Sequence, residues 1–190
     1  MDGKWDGVSP HFNGWDDGII LTNETGDLIS GNTIQHVWDA GIEGAYSLTN
    51  TVISNNTIQH TLTAAMGAWW YTEWIGNQIL NNQADDVSQL LSIYYDENVG
   101  IPPPSKVHFE SNRFVGNVIL HPSAFDTFAL NSQSKITITP AGYPQVLADN
   151  NVLQDNHFGQ FAPELIPAAG FIDGGGNVCQ TATAVIACNR

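Results

Sequence analysis

Two nine-residue stretches set twenty-four residues apart constrain this chain more than anything else in it. Leu28-Ile29-Ser30-Gly31-Asn32-Thr33-Ile34-Gln35-His36 returns as Val52-Ile53-Ser54-Asn55-Asn56-Thr57-Ile58-Gln59-His60, identical at seven of nine positions. Self-similarity at such a period means one small unit stacked on itself, because no single unit can bury its own apolar face. The asparagine of the repeat serves as a ruler and recurs as Asn32, Asn56, Asn77, Asn112, Asn156 and Asn177. Three residues before it stand Ile29, Ile53, Trp74, Phe109 and Leu153. Two after it stand Ile34, Ile58, Ile79, Phe114, Phe158 and Cys179. The pattern reads as a short strand with one inward apolar residue, a sharp bend, and a second short strand. Asparagine suits the bend because it tolerates the left-handed region. Stacked coils then align the asparagines into an amide ladder.

This coil motif resembles the right-handed parallel β-helix repeats of pectate-lyase-like proteins, including the NosD-like β-helix region. The resemblance covers nearly all of residues 15–179. It implies an all-β fold, a single-stranded right-handed parallel β-helix of about six to eight coils, and it implies no particular activity, since such solenoids host many functions. A helical solenoid would need 3.6-residue periodicity and helix formers, whereas these coils are rich in Asn, Thr, Ile and Gly.

One domain over 1–190 is expected, the C-terminal part of a longer β-helix. The ruler intervals lengthen to 35 and 44 residues between Asn77, Asn112 and Asn156. Insertions at about 95–106, with Pro102-Pro103-Pro104, and about 122–145 account for the excess. Within the second, Lys135-Ile136-Thr137-Ile138-Thr139 alternates like a strand, either inside the excursion or as another coil. Residues 5–12 fit the ruler badly, so self-association or a partner chain is expected to cover an uncapped N-terminal end.

Five Lys and Arg face nineteen Asp and Glu, for a net charge of −14. Such a surface disfavours nucleic acid, where affinity comes from neutralising phosphates. It disfavours unassisted polyuronates for the same reason. No apolar run reaches the roughly 18–20 residues of a membrane span. Cys179 and Cys188 suit a short disulfide loop and an extracellular, cell-surface or periplasmic setting, with two free thiols as the other reading.

A second repeat carries the chemistry. Trp15-Asp16-Asp17-Gly18-Ile19 returns as Trp38-Asp39-Ala40-Gly41-Ile42, offset by 23 residues. Equivalent residues on neighbouring strands sit about 4.8 Å apart, which stacks Asp16 near Asp39 with Asp17 and Glu43 close by. Adjacent carboxylates raise one another's pKa and can divide acid and base roles, so Asp16, Asp17, Asp39 and Glu43 are the candidate catalytic residues. The same oxygens can hold calcium, centred on Asp16 and Asp39; no other cofactor is indicated. A structural reading stays open, in which the aspartates merely suit a tight turn. The Asp16-Asp17-Gly18-Ile19 run resembles the aspartate pair of β-helix polygalacturonases, whose other motifs are absent here.

Tyr46, Trp70 and Tyr94 recur at intervals of twenty-four. With Trp15, Trp38, Trp69, Glu73 and Glu97 they form the candidate glycan-binding set, flat apolar faces beside carboxylates. A buried aromatic stack is the competing reading. His36 and His60 are in register and suit either a transition metal or a solvated face. Together these features lead to an extracellular carbohydrate-interacting module, one that degrades a neutral or weakly charged polysaccharide by hydrolysis rather than elimination if it is catalytic. The alternative is a non-enzymatic structural or adhesive surface solenoid, or a spike-like assembly subunit.

Overall fold

The computed structural model describes residues 1–4, 16–87, 90–94, 106–121, 136–138, 145–159, 170–180 and 184–188, with the backbone alone at 69–72, 92–94, 106–107, 136–138 and 145–148. The described residues form strands and turns and no helix, hence none long and apolar enough to cross a membrane. The fold is all-β, built of three sheets whose strands pair in parallel except at the last rung.

The chain visits the sheets in turn. β1 (Ile19–Thr25), β2 (Leu28–Ser30) and β3 (Thr33–Val37) each begin a different sheet. β4 (Ala40–Thr49), β5 (Val52–Ser54) and β6 (Thr57–Thr61) then pair with them in that order. β7 (Ala64–Ile75), β8 (Gln78–Leu80) and β9 (Gln83–Val87) add the next level. β10 (Leu91–Tyr94) and β11 (Lys106–Glu110) both pair with β7, followed by β12 (Arg113–Val115) and β13 (Val118–Ile119). β14 (Ile136–Ile138) pairs with β10 and β15 (Gln145–Asp149) with β11, ahead of β16 (Asn151–Gln154) and β17 (His157–Gly159). β18 (Phe171–Asp173) and β19 (Val178–Gln180) stack on these, and β20 (Val185–Ala187) turns back antiparallel along β19. The expected insertions at 95–106 and 122–145 fall largely outside the described residues. Ile136–Ile138, however, joins the main stack rather than pairing within an excursion.

Three columns of side chains from the three sheets share one core. Ile29, Ile53, Ile79, Phe114 and Leu153 are in register in one sheet, and Ile34, Ile58, Ala84, Ile119, Phe158 and Cys179 in another. The third holds Leu48, Trp74 and Phe109, with the Trp74 and Phe109 rings stacked 5.8 Å apart. Each fully buried side chain of this size contributes about 1.5–3 kcal/mol.

The asparagine ruler needs correcting, because it merges two separate ladders. Asn32, Asn56, Asn82, Asn117, Asn156 and Asn177 form the first: each Asn N–H and side-chain amide donates to the Oδ1 of the next, at 2.9–3.1 Å. Asn77 and Asn112 belong to the second, which runs from Thr51 through Asn77 and Asn112 to Asn151. The two asparagines of one level flank a short strand, five positions apart, and identity alone cannot say which is which. The bend is likewise not made by the ladder asparagine. It is the residue before it that has positive φ, as at Gly31, Asn55, Asn81, Gly116 and Asp155 in the first ladder and Asn50, Gly76, Ser111 and Asn150 in the second.

Cys179 and Cys188 are disulfide-bonded across the terminal hairpin, as expected. At the other end, Gly3 N donates to Gln35 O at 2.8 Å and Gln35 N to Met1 O at 3.1 Å, so the first residues pair with β3. Residues 5–12, on which the uncapped-end expectation rests, lie outside the described residues.

Candidate functional site

The Trp-Asp-x-Gly-Ile repeat folds as two superposed corners leading into β1 and β4. Asp39 N donates to Asp16 O at 2.8 Å and Gly18 N to Ala40 O at 3.0 Å, which puts Asp39 one level above Asp16. The glycines are there for packing. A Cβ on Gly18 would lie 2.4 Å from Ile34 Cγ2, and one on Gly41 equally close to Ile58 Cγ2. With the glycines against the core, Asp16 stays exposed while Asp39 is half-buried and Asp17 buried.

Along β4 the faces alternate. Ile42 is fully buried and Gly44 lies under Trp74, whose indole N–H donates to Gly44 O at 3.2 Å. Glu43, between them, is turned to the other face, level with Ile20 of β1 and Gly67 of β7. Beyond Ala45 the register breaks. Tyr46 has φ of 65° and is skipped in the ladder, as is Asn23 (φ 58°) below it. Positive φ is costly for a bulky residue, and here it turns Tyr46 onto the same cleft as the carboxyls.

That cleft has a volume of about 280 Å³ and is lined by Asp16, Asp17, Asp39 and Glu43 with Ile20, Thr22, Ala45 and Tyr46. The four carboxyls expected to converge do so. Asp17 Oδ1 accepts from Ala40 N at 3.0 Å, and the Asp17 and Glu43 carboxyl groups are hydrogen-bonded to each other. Two carboxyls in contact need one proton between them. Burial pushes Glu43 up to about 9, with the Asp17 charge adding to it. Burial also raises Asp17, to about 6, against the opposing donation from Ala40 N–H. Glu43 therefore holds the shared proton and Asp17 accepts it. Burial lifts Asp39 to about 8, with the Asp17 charge as the next cause. Asp16 is exposed. The cleft so holds protonated acids beside an exposed carboxyl, without a Lys or Arg among the described lining residues.

One oxygen each from Asp16, Asp17 and Asp39 lie within 4.8 Å of one another. A single calcium with bonds of about 2.3–2.6 Å can span that set once the carboxyls are deprotonated.

Compared with known proteins, the chain matches no family model, and no curated protein or solved structure is significantly similar to it.

The aromatic set fares differently. Among the described side chains of the set only Tyr46 lines the cleft, and the twenty-four-residue row of Tyr46, Trp70 and Tyr94 is not the register. Ala45, Trp69 and Tyr94 are the residues in line, since residues added after Trp69 put Tyr94 level with Trp69 and not with Trp70. The backbones of Trp69, Trp70 and Tyr94 belong to β7 and β10; their side chains, with Trp15 and Glu97, lie outside the described residues. Trp38 is half-buried at the corner before Asp39, outside the cleft lining. Glu73 is exposed in β7, level with Ser47 and His108. Trp74 is core. Sequence reasoning missed Ile20, Thr22 and Ala45 as cleft residues. Their signal was the Ile-Ile run following the first Trp-Asp repeat, level with Ile42-Glu43.

The growth of the sheet beside the cleft was also hidden. Paired positions on either side of the bulge run from Leu21 to Glu24, Gly44 to Leu48, Ala68 to Trp74, then Ile93 to Phe109. Successive levels thus insert more residues at one place, next to Tyr46.

Proposed function

We propose that this chain is a right-handed parallel β-helix of the pectate-lyase-like kind, an extracellular module that binds and hydrolyses a neutral polysaccharide in the Asp16/Asp39 cleft. The observation that carries the reading is a cleft holding Asp39 and Glu43 with raised pKa values next to the exposed Asp16, with Tyr46 beside them. Acid and base roles divide when neighbouring carboxyls are driven apart in pKa. Three parallel sheets visited in turn, with ladders between levels, support the solenoid reading. The disulfide supports an oxidising compartment.

In this mechanism Asp39 protonates the glycosidic oxygen as the leaving sugar departs. The Asp16 carboxylate closes on the anomeric carbon, and water then releases the sugar with Asp39 acting as base. Carboxyls about 5–5.5 Å apart retain configuration, whereas inversion needs about 6.5–9.5 Å to admit a water. The 4.8 Å limit on the Asp16 and Asp39 oxygens favours retention. Asp17 and Glu43 act as positioning residues, their shared proton and charge keeping Asp39 protonated. Neutral sugars fit a cleft that repels anions. Activity should decline as pH rises through about 8, where Asp39 loses its proton.

The test is a panel of neutral polysaccharides incubated with and without calcium, with released sugars separated chromatographically. Asp16→Asn and Asp39→Asn are each expected to lower hydrolysis by about 10²-fold or more. Hydrolysis that survives the double variant overturns the site, and a blank panel in both arms favours a structural or adhesive solenoid instead.

A further inference from the structure

The third turn of each level carries side chains that the acidic cleft does not use. His36, His60 and Asp86 stand there at successive levels, with φ of 55°, 54° and 52°. At the other two turns the same backbone conformation falls to Gly, Asn, Ser or Asp. A left-handed conformation costs a side chain roughly 1–2 kcal/mol that glycine does not pay. Histidine is among the side chains enriched in this region, with Asn and Asp, so the turn accounts for the backbone at 36 and 60 and the contacts of the two rings carry the argument.

The imidazoles of His36 and His60 stack with centroids 5.0 Å apart and planes within 6°. Each has a carboxylate on Nδ1: Asp2 Oδ1 at 3.3 Å for His36, Asp86 Oδ2 at 2.7 Å for His60. One strand further, His121 Nδ1 meets Asp85 Oδ1 at 2.7 Å. An ionised carboxylate can only accept, so each Nδ1 donates. In the neutral ring Nε2 then carries a free lone pair, the tautomer that binds metals. A carboxylate behind the distal nitrogen of a metal-bound histidine orients the ring and raises its basicity. Both rings here have that backing, and both side chains are more than a third exposed, 38% and 46%.

We infer that His36 and His60 form a two-imidazole site for a divalent transition-metal ion of the Zn²⁺, Ni²⁺ or Cu²⁺ class, with water completing the coordination. Imidazole nitrogen selects these ions over calcium, which separates the site from the all-oxygen cleft. Two nitrogens bound to one ion at about 2.0–2.1 Å stand roughly 3–4 Å apart. In the stack the rings lie 5.0 Å apart with planes within 6°, so their in-plane lone pairs run side by side. To share an ion both rings must swing about χ1 and χ2 by roughly tens of degrees until the Nε2 axes converge, a rotation open to side chains at an exposed face. Asp86 supplies the negative charge that draws a cation in, since Asp2 is already paired with Lys4 Nζ at 3.1 Å. The inference does not rest on the glycan reading.

The experiment titrates Zn²⁺ and Ni²⁺ calorimetrically at neutral pH into the whole chain carrying Asp16→Asn and Asp39→Asn, which silences the acidic cleft. One equivalent should bind saturably. His36→Asn and His60→Asn preserve the turn, since asparagine tolerates left-handed φ. Each should weaken binding at least about tenfold, and Asp86→Asn by a smaller factor, while His121→Asn changes it by less than about twofold. Ni²⁺ should broaden the ring-proton resonances of His36 and His60 before those of His108 or His157. Saturation missing up to about 1 mM metal (a free energy near −4 kcal/mol) overturns the site. So does unchanged affinity in the His36→Asn/His60→Asn double variant.

Discussion

Asp39 keeps its proton to about pH 8 while an unfolded aspartate loses it near 3.9, so it makes stability depend on pH with an unusual sign. Between those values the folded chain binds more protons than the unfolded one. Stability is therefore full at acid pH and falls as pH rises through about 4 to 8, with Glu43 extending the decline to about 9. Every tenfold difference in acidity between the folded and unfolded carboxyl corresponds to about 1.4 kcal/mol, reduced by whatever water and chain movement relieve. Melting temperature should accordingly drop by several degrees between pH 5 and pH 9. Asp39→Asn removes the charge that must be forced into the corner, so it should flatten that dependence and raise the melting temperature at pH 8. A melting temperature that climbs over this range would contradict the assigned protonation.

Within the elements, the ladders turn a sequence preference into cooperative structure. Asn117 Oδ1 accepts from both the N–H and the side-chain amide of Asn82, and its own amide donates to Ile79 O and Asn156 Oδ1, all without access to water. Truncating it leaves two buried donors without an acceptor, each worth about 1–3 kcal/mol. Asn32 begins the same ladder half-buried and donates to Asn56. Asn117→Ala should therefore destabilise by about 2–4 kcal/mol and Asn32→Ala by about 1 or less, as read from urea midpoints. Equal losses at the two positions would mean that the ladder adds nothing beyond local turn propensity.

Among the described strands each level pairs with the levels next to it, and in a stack of that kind stability is close to a sum over neighbours. The disulfide closes only the hairpin of β19 and β20, at one end of the stack. Its reduction should cost about 2–3 kcal/mol at most and act locally. Hydrogen exchange under reducing conditions is expected to lose protection in β19 and β20 while the first two ladder levels around Asn32 and Asn56 keep theirs. Uniform loss along the chain would instead mark the whole stack as one cooperative unit.

Much of this was written in the order of residues. The repeat around Asn32 and Asn56 determined that levels stack, and the paired Trp-Asp-x-Gly-Ile runs determined that Asp16 meets Asp39. Cys179 and Cys188 determined their own pairing. These readings hold because both copies of each motif have the same length, so counting residues and counting levels give the same answer. Tertiary structure decided the rest. Asn77 and Asn112 moved to a different ladder, and Tyr46 left its supposed row, because insertions and skipped residues lengthen the chain without adding a hydrogen-bonded rung. The protonation of Asp39 and Glu43 was decided there too. A pKa answers to how much water and how much charge surround a carboxyl, and both are fixed only when strands distant in sequence pack around it.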